Sequence, residues 1–226
     1  MRIQILLLLI FVASTNSWGR QKINSNRYQL LSGRRNAVGV KGQWDKKYSR
    51  SEYVYGKSPA KFLANNFHFI PEKSTVLDMG MGEGRNAVFL ATKGYKVTGV
   101  DISSVAVRKS RVLAKEFDVR IKGIVASLTE YKIKEKSLDS IICFYFVERS
   151  LNKKIMRWLK PGGILIYEAH TLNQKKVKGS EHYNIKYLLR PGELLRLFPK
   201  MRVLKYEEAL HKGEFIASII LQKISN

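Results

Sequence analysis

The stretch Val76-Leu77-Asp78-Met79-Gly80-Met81-Gly82-Glu83-Gly84-Arg85-Asn86 contains an apolar run, a loop with three alternate glycines and the start of a helical pattern. Glycines at these positions allow a sharp turn and let a ligand approach the backbone closely, which a Cβ would obstruct. A tight strand-to-helix turn without a ligand is the alternative interpretation. The segment predicts a strand, a ligand-binding loop and a helix, which is the unit of open α/β sheets.

Short β-rich runs and helical stretches alternate on both sides of this segment. Strands are predicted over residues 75–79, 96–101, 119–125, 138–146, 164–169, 203–209 and 215–221. Helices are predicted over residues 58–67, 85–93, 103–117, 152–159 and 191–198. This alternation is typical of an α/β fold with a mainly parallel sheet and helices on both faces. Ligands bind such sheets beyond the carboxyl ends of the strands, so the chemistry is expected there.

The charge around the glycine loop distinguishes between two cofactors. NAD-binding loops space their glycines G-x-G-x-x-G and place a pyrophosphate at the helix N-terminus. Here the spacing is G-x-G-x-G, and Asp78 and Glu83 flank the loop, where two carboxylates would repel a pyrophosphate. They suit a ligand that carries an ammonium and a sulfonium. The sequence therefore predicts S-adenosylmethionine.

Asp101 ends the second predicted strand, next to the loop in a sheet of this type. An acidic side chain at this position accepts hydrogen bonds from both ribose hydroxyls of a nucleoside ligand. A helix cap and an exposed acid at the strand end are the alternatives. Because the glycine loop lies beside it, we interpret Asp101 as the ribose ligand.

Further motifs extend the pattern over most of the chain. They are Gln43-Trp44-Asp45, Tyr53-Val54-Tyr55-Gly56-Lys57-Ser58-Pro59, Val100-Asp101-Ile102-Ser103, Phe144-Tyr145-Phe146, Leu159-Lys160-Pro161-Gly162-Gly163 and Leu189-Arg190-Pro191-Gly192-Glu193-Leu194. Through these motifs and the loop, residues 44–222 resemble class I S-adenosylmethionine-dependent methyltransferases, and among them the small bacterial tellurite-resistance-type group. The likeness is specific for fold and cofactor and carries no information on the substrate.

The resemblance implies a Rossmann-like, seven-stranded, mostly parallel sheet whose last strand is antiparallel. It places Asp78, Gly80, Gly82 and Asp101 on the cofactor, with Tyr55 or Trp44 closing over it. The full predicted cofactor-binding set is Trp44, Tyr55, Asp78, Gly80, Gly82, Gly84, Asn86, Asp101, Ile102 and Ser127. Two positions depart from the family: Met81 stands where a small residue or cysteine is usual, and Ala126-Ser127 where an acid usually meets the adenine amino group.

Methyl transfer from a sulfonium is an in-line displacement, and positioning of the reactants supplies roughly 7–11 kcal/mol of its barrier. A general base is needed only where the acceptor must lose a proton. The candidates for catalysis follow the fourth and fifth predicted strands: Tyr145, Glu148, Arg149, Glu168 and His170. Tyr145, Glu168 and His170 form the candidate catalytic set, and a hydrogen-bonded structural histidine is the alternative for His170.

The methyl acceptor is predicted to be a small molecule. Enzymes that methylate amino groups of nucleic acids carry an Asn-Pro-Pro-aromatic element after strand four, whereas Phe-Tyr-Phe-Val occupies residues 144–147 here. The chain has 41 Lys and Arg against 18 Asp and Glu, a net charge of +23, so an RNA methyltransferase with a basic surface is the second hypothesis. A non-catalytic S-adenosylmethionine-binding protein is the third, suggested by Ser127 and by an export-like N-terminus.

Composition indicates one globular domain without a metal. The 226 residues suffice for one core, and the single cysteine, Cys143, lies in an apolar run as a buried thiol would. The four histidines lack ligand-like spacing, so no metal is predicted. We expect a monomer.

The N-terminus differs from the rest of the chain. Arg2, an apolar stretch over residues 3–13 and the small-x-small site Ser17-Trp18-Gly19 predict a signal peptide over residues 1–19. A basic, poorly ordered lead-in is predicted over residues 20–47, followed by the methyltransferase domain over 48–226. An exported protein, periplasmic or secreted, or one tethered to the membrane through the signal is expected, with no transmembrane span after cleavage. A cytoplasmic enzyme with a misassigned start codon is the alternative.

Overall fold

A computed structural model describes residues 39–211 and 213–224 of the chain, without the side chains of 209–211. The predicted signal peptide and residues 20–38 of the predicted lead-in lie outside the described residues. Within the described part, no helix combines the length and the apolar character that a membrane crossing requires.

The centre of the fold is a seven-stranded sheet with the order β3-β2-β1-β4-β5-β7-β6. The strands are β1 (Thr75–Met79), β2 (Lys96–Asp101), β3 (Lys122–Val125), β4 (Leu138–Phe144), β5 (Leu159–His170), β6 (Met201–His211) and β7 (Glu214–Lys223). The first five strands pair in parallel, and β7 lies antiparallel to both β5 and β6. The predicted sheet, with its antiparallel last strand, is confirmed.

The described residues contain six α-helices. They are a helix over residues 39–48 (α1), α2 (Lys61–Asn66), α3 (Arg85–Thr92), α4 (Ser104–Glu116), α5 (Asn152–Trp158) and α6 (Glu193–Leu197). Alternate residues of β4 enter two separate cores: Ile141 packs with Trp158 of α5 on one face, and Ile142 packs with Leu90 of α3 on the other. Helices therefore lie on both faces, as predicted.

Some predicted boundaries are shifted. The third strand begins at Lys122 instead of residue 119, because Val119 N–H bonds to Ala114 C=O and so completes the C-terminus of α4. The fourth strand ends at Phe144, because Tyr145 has a left-handed backbone with φ 58°. The helix expected from Ser58 starts at Lys61 with Ala60 as its N-cap residue.

The predicted disorder of residues 20–47 is wrong for residues 39–47, which form most of α1. This helix is attached to the domain by Asp45, whose carboxylate accepts hydrogen bonds from Ser103 Oγ at 2.7 Å and Val105 N–H at 3.2 Å. Asp45 thus caps the N-terminus of α4 from another helix. Gly39 and Gly42 disrupt the helical pattern in the sequence, so local sequence does not predict α1. The helix is stabilised by its tertiary contacts with the rest of the domain.

Candidate active site

The glycine loop turns sharply at the carboxyl end of β1. Gly80, Gly82 and Gly84 have φ values of 66°, 57° and 87°, a region that side-chain-bearing residues rarely adopt. A Cβ on Gly80 would lie 2.8 Å from Phe146, and one on Gly82 would lie 2.9 Å from Tyr48 Oη. A Cβ on Gly84 would lie 2.6 Å from Ser110 Cβ on α4. Gly84, predicted to touch the cofactor, therefore serves the packing of α3 against α4.

Met81 fits the loop because two strand glycines make room for it. A Cβ on Gly99 of β2 would lie 1.9 Å from Met81 Sδ, and Gly123 of β3 has the Met81 methyl carbon 3.5 Å from its Cβ position. Met81 is buried. The departure of Met81 from the family pattern is thus accommodated by Gly99 and Gly123.

Asp78 is a buried carboxylate that lacks a partner on one oxygen. The residue is 2% exposed, and Oδ2 forms no hydrogen bond with any described residue. Burial, together with the nearby charge of Asp101, raises the pKa of Asp78 to about 7. A cationic ligand group next to Oδ2 would stabilise the ionised carboxylate.

Asp101 supports the loop from the end of β2. Its Oδ2 accepts a hydrogen bond from Gly82 N–H at 2.8 Å, and its Oδ1 accepts one from Ser103 N–H at 2.8 Å. Burial raises its pKa even though these hydrogen bonds act in the opposite direction. A carboxylate oxygen has a second lone pair, so bonds to ribose hydroxyls remain compatible with both contacts. The N-cap residue of α4 is Ser103, whose Oγ accepts a hydrogen bond from Ala106 N–H and donates one to Asp45.

Two predicted site residues bind other parts of the protein. Glu83, which was expected to flank the loop and to suit a cationic ligand, accepts a hydrogen bond from Val54 N–H at 2.7 Å and pairs with Lys109 Nζ at 2.5 Å. Asn86 Oδ1 accepts from Ala60 N–H at 2.9 Å and so holds the start of α2. The Glu83 carboxylate is thus already paired within the protein, and Asn86 Oδ1 is occupied. The sequence does not show which way these side chains point.

Residues 39–57, which we call the strap, lie over the loop. Trp44 and Tyr48, one helical turn apart, stack with ring centroids 5.6 Å apart, and Tyr48 meets Tyr55 edge-to-face at 6.4 Å. Lys47 Nζ lies 4.9 Å from the ring centroids of both Trp44 and Tyr55 and donates to Tyr55 Oη at 2.5 Å. Tyr48 is buried above Gly82, whereas Tyr55 is exposed. The closing residue next to the loop is thus Tyr48.

Lys109 of α4 fastens the second half of the strap. Besides its ion pair with Glu83, its Nζ donates to the carbonyl oxygens of Glu52 at 2.7 Å and Arg50 at 3.0 Å. The ammonium also lies 4.9 Å from the ring centroid of Tyr53. Asp45 near the start of the strap and Lys109 near its end therefore both attach it to α4.

The candidate catalytic residues come together at the carboxyl ends of β4 and β5. Tyr145 Oη donates to Glu168 Oε1 at 2.9 Å, and Ser218 Oγ donates to Glu168 Oε2 at 2.7 Å. The rings of Tyr145 and His170 lie 4.9 Å apart, and His170 Nε2 lies 3.4 Å from Tyr183 Oη. Burial raises the pKa of Glu168 and lowers that of His170. His170 Nδ1 has no partner among the described residues.

The other candidates have structural contacts. Arg149 pairs with Glu193 at 2.6 Å and donates to Leu188 C=O at 2.9 Å, which ties the helical turn before α5 to α6. Glu148 accepts a hydrogen bond from Ser150 N–H and caps a short helical turn. Ser127 Oγ lies 2.7 Å from Thr129 Oγ1.

Sequence reasoning missed Tyr48, Lys109 and Tyr183. The i, i+4 spacing of Trp44 and Tyr48 is the one signal in the sequence that indicates a shared helical face. Lys109 and Tyr183 act through contacts between residues far apart in the chain, and no local pattern indicates them.

Comparison with known proteins finds a methyltransferase domain in the part of the chain that contains the glycine loop. Residues 76–163 match the family model described as a methyltransferase domain. The ubiquinone biosynthesis O-methyltransferase of Rickettsia akari (strain Hartford) is 30% identical over 132 residues, which are 56% of this chain and 49% of that protein. The chain thus spans about half the length of the curated relatives it matches.

Two solved structures show the same fold. TehB from Haemophilus influenzae aligns with a TM-score of 0.60 and 20% identity, over 81% of this chain and 66% of that chain. Geranyl diphosphate C-methyltransferase from Streptomyces coelicolor A3(2), in complex with S-adenosyl-L-homocysteine, aligns with a TM-score of 0.59 and 15% identity, over 73% of this chain and 74% of that chain.

Residues 76–163 thus match a methyltransferase domain, and the chain has the fold of S-adenosylmethionine-dependent methyltransferases of known structure. At the level of this domain, the resemblance, the enzyme class and the type of cofactor predicted from the sequence are confirmed.

Proposed function

We propose that the chain transfers a methyl group from S-adenosylmethionine to a small-molecule acceptor by in-line displacement. The observation that carries this proposal is the pair of buried carboxylates, Asp78 and Asp101, beside the glycine loop at the ends of β1 and β2. The cofactor contributes an ammonium and a sulfonium. These positive charges match a site in which Asp78 Oδ2 lacks a partner among the described residues.

In this proposal, Asp101 binds the ribose hydroxyls and holds Gly82 at the same time. Gly80 and Gly82 let the cofactor approach the backbone, and the strap covers it. Ile102, directly after Asp101, and Ser127, after β3, lie at the carboxyl ends of β2 and β3, the expected side of the adenine.

The cluster around His170 is the proposed acceptor site. Glu168 has both oxygens engaged by hydroxyl groups, so it positions Tyr145. Burial lowers the pKa of His170 and so favours the neutral ring, and Nδ1 is buried without a partner among the described residues. A group of the acceptor that enters the cluster would find a hydrogen-bond or proton acceptor there. The names of the Rickettsia relative and of the Streptomyces structural neighbour, which refer to ubiquinone biosynthesis and geranyl diphosphate, support a small acceptor.

Calorimetric titration with S-adenosylmethionine, S-adenosylhomocysteine and NAD tests the cofactor. We expect binding of the first two, and Asp101→Ala should weaken it by about tenfold to a hundredfold if the carboxylate makes one or two charged hydrogen bonds to ribose. Glu72→Ala, which removes an exposed acid before β1, is the matched control. Binding of NAD alone would overturn the proposal.

Formation of S-adenosylhomocysteine in the presence of small hydroxyl, thiol and amine compounds, or of total RNA, tests the acceptor. Turnover with a small compound supports the proposal. Turnover with RNA alone would favour the RNA methyltransferase hypothesis, and tight cofactor binding without turnover on any acceptor would favour a non-catalytic binding protein.

A further inference from the structure

A groove of about 420 Å³ runs along the amino ends of the first four strands, at the edge of the sheet opposite the cofactor cleft. Its lining includes the first residue of each of these strands, which are Thr75, Lys96, Lys122 and Leu138. A second groove, of about 440 Å³, lies between the C-terminal half of α4 and the segment before β3. Arg120 and Ile121 line both, so the two adjoin, and we call them together the basic groove.

The basic groove carries uncompensated positive charge. It is lined by five exposed basic side chains, which are Lys96, Arg111, Lys115, Arg120 and Lys122. Among the described residues that line it, Asp118 is the single acid. Arg111 donates to Gly123 C=O at 3.0 Å, and none of the five takes part in an ion pair of the described residues. A polyanion is the ligand complementary to such a surface.

The spacing of these charges suits a chain of anionic groups. Lys96 and Lys122 begin β2 and β3, which pair with each other, and neighbouring strands of a sheet lie about 4.8 Å apart. Arg120 precedes Lys122 by two residues, and Arg111 and Lys115 lie one turn apart on α4. A row of positive charges across two strands and a helix matches the successive phosphates of one nucleic-acid strand.

An exposed phenylalanine beside the basic groove distinguishes among polyanions. Phe117 is 46% exposed and lies in the sequence between Lys115 and Asp118, which both line the groove. Bases stack on exposed aromatic side chains, whereas inorganic polyphosphate and sulfated sugars have no ring for such a contact. A bilayer surface does not enter a concave groove. The combination favours a single-stranded nucleic acid.

We propose that the basic groove binds single-stranded nucleic acid through its phosphates, with a base stacked on Phe117. RNA and DNA share the phosphodiester and the base face that these contacts recognise. The groove lies at the opposite edge of the sheet from the cleft, so the bound strand is a partner of the domain and not its methyl acceptor. This inference goes beyond the proposed function and does not depend on it.

Fluorescence anisotropy of labelled oligouridylate and oligodeoxyuridylate with the full chain tests the proposal. The logarithm of the association constant should fall against that of the NaCl concentration with a slope of about −3.5, which corresponds to five neutralised phosphates of a single strand. The groove variant, which combines Lys96→Gln, Arg120→Gln and Lys122→Gln, should reduce this slope by about 2 and weaken binding about a hundredfold at about 0.1 M NaCl. Tighter binding of one oligonucleotide identifies the partner as RNA or DNA, because the two differ only in the 2′-hydroxyl.

Matched variants separate the groove from the overall charge. Lys176→Gln, Lys178→Gln and Lys186→Gln together remove the same charge from the exposed segment after β5, at the carboxyl end of the sheet, and should change the affinity by less than about threefold. Phe117→Ser should weaken binding about fivefold or more without a change in the salt slope, because one stacked base is lost. Val112→Ser, at another exposed apolar residue of α4, is its control. Thermal unfolding shows whether each variant is folded.

Equal losses in the groove variant and in the three-lysine control would indicate attraction to the net charge alone and would overturn the proposal, as would absence of binding by the wild type. An affinity that Phe117→Ser leaves unchanged would overturn the assignment to nucleic acid. These outcomes leave the proposed function standing, because that function is tested at the cleft.

Discussion

Cofactor affinity should depend on pH through Asp78. In the free protein its pKa is raised from 3.8 to about 7 by burial, so the carboxyl group is mostly protonated at pH 6 and mostly ionised at pH 8. The ammonium of the ligand favours the ionised form. Binding at low pH therefore requires the loss of a proton, and affinity falls as the pH falls through 7.

The size of the effect follows from the pKa. If the bound carboxylate stays ionised down to pH 6, the affinity contribution of Asp78 should be about tenfold smaller at pH 6 than at pH 8, and binding at pH 6 should release about 0.9 protons from Asp78. Calorimetry with S-adenosylhomocysteine at pH 6, 7 and 8, in buffers of different ionisation enthalpy, measures both quantities.

Asp78→Asn is the matched control, because the amide resembles the neutral carboxyl in shape and does not titrate. Titration of the ligand's own amine is the same for both proteins, so the ratio of their affinities isolates Asp78. A ratio that stays constant from pH 6 to pH 8 would refute the reasoning.

The same residue links pH to the stability of the free protein. A folded-state pKa above the unfolded value means that the fold favours the protonated form, so the Asp78 contribution to stability declines as the pH rises from about 4 to about 7. The Tm of Asp78→Asn should therefore rise relative to the Tm of wild type as the pH increases over this range.

Further predictions concern the loop, the strap and the N-terminus. Gly99→Ala should lower the stability of the fold by about 1–3 kcal/mol, because the added methyl group overpacks against Met81. Adding Met81→Ala in the same chain should recover part of the lost stability, whereas additive effects of the two substitutions on thermal unfolding would contradict the contact. Lys109→Met should lower the free energy of unfolding by about 3–5 kcal/mol, because it leaves Glu83 as a buried unpaired charge, and the second substitution Glu83→Gln should reduce this loss. Hydrogen exchange over residues 48–55 that is unchanged in Lys109→Met would argue against Lys109 as an anchor of the strap. We also propose export, so N-terminal sequencing from native cells should find a mature end near Arg20, whereas a soluble cytosolic form that begins elsewhere would contradict it.

The sequence predicts the first half of the Rossmann-like unit correctly, because its strands and glycine loop are encoded by local sequence patterns. Both β1 and β2 have the bounds that their apolar runs predict, and the loop between β1 and α3 follows from glycine spacing. The sequence also placed Asp78 and Asp101 at adjacent strand ends, where they lie beside the same loop.

The rest of the site depends on side-chain direction and on contacts between distant segments. Glu83 was expected to suit a cationic ligand beside the loop, but its carboxylate is already paired with Val54 N–H and Lys109. The helix over residues 39–48 was missed because its sequence is polar and contains two glycines. It is stabilised by Asp45 on the N-terminus of α4, a contact that no window of local sequence reveals.

The anchor at Lys109 has a consequence for how the strap tolerates change. Besides the Glu83 pair, the lysine binds carbonyl oxygens of residues 50 and 52, which every amino acid supplies. Substitutions at these exposed positions would therefore leave the attachment in place. The exposed side chains at residues 50 and 52 are therefore free to vary in charge and size, while Tyr48 keeps its position over Gly82.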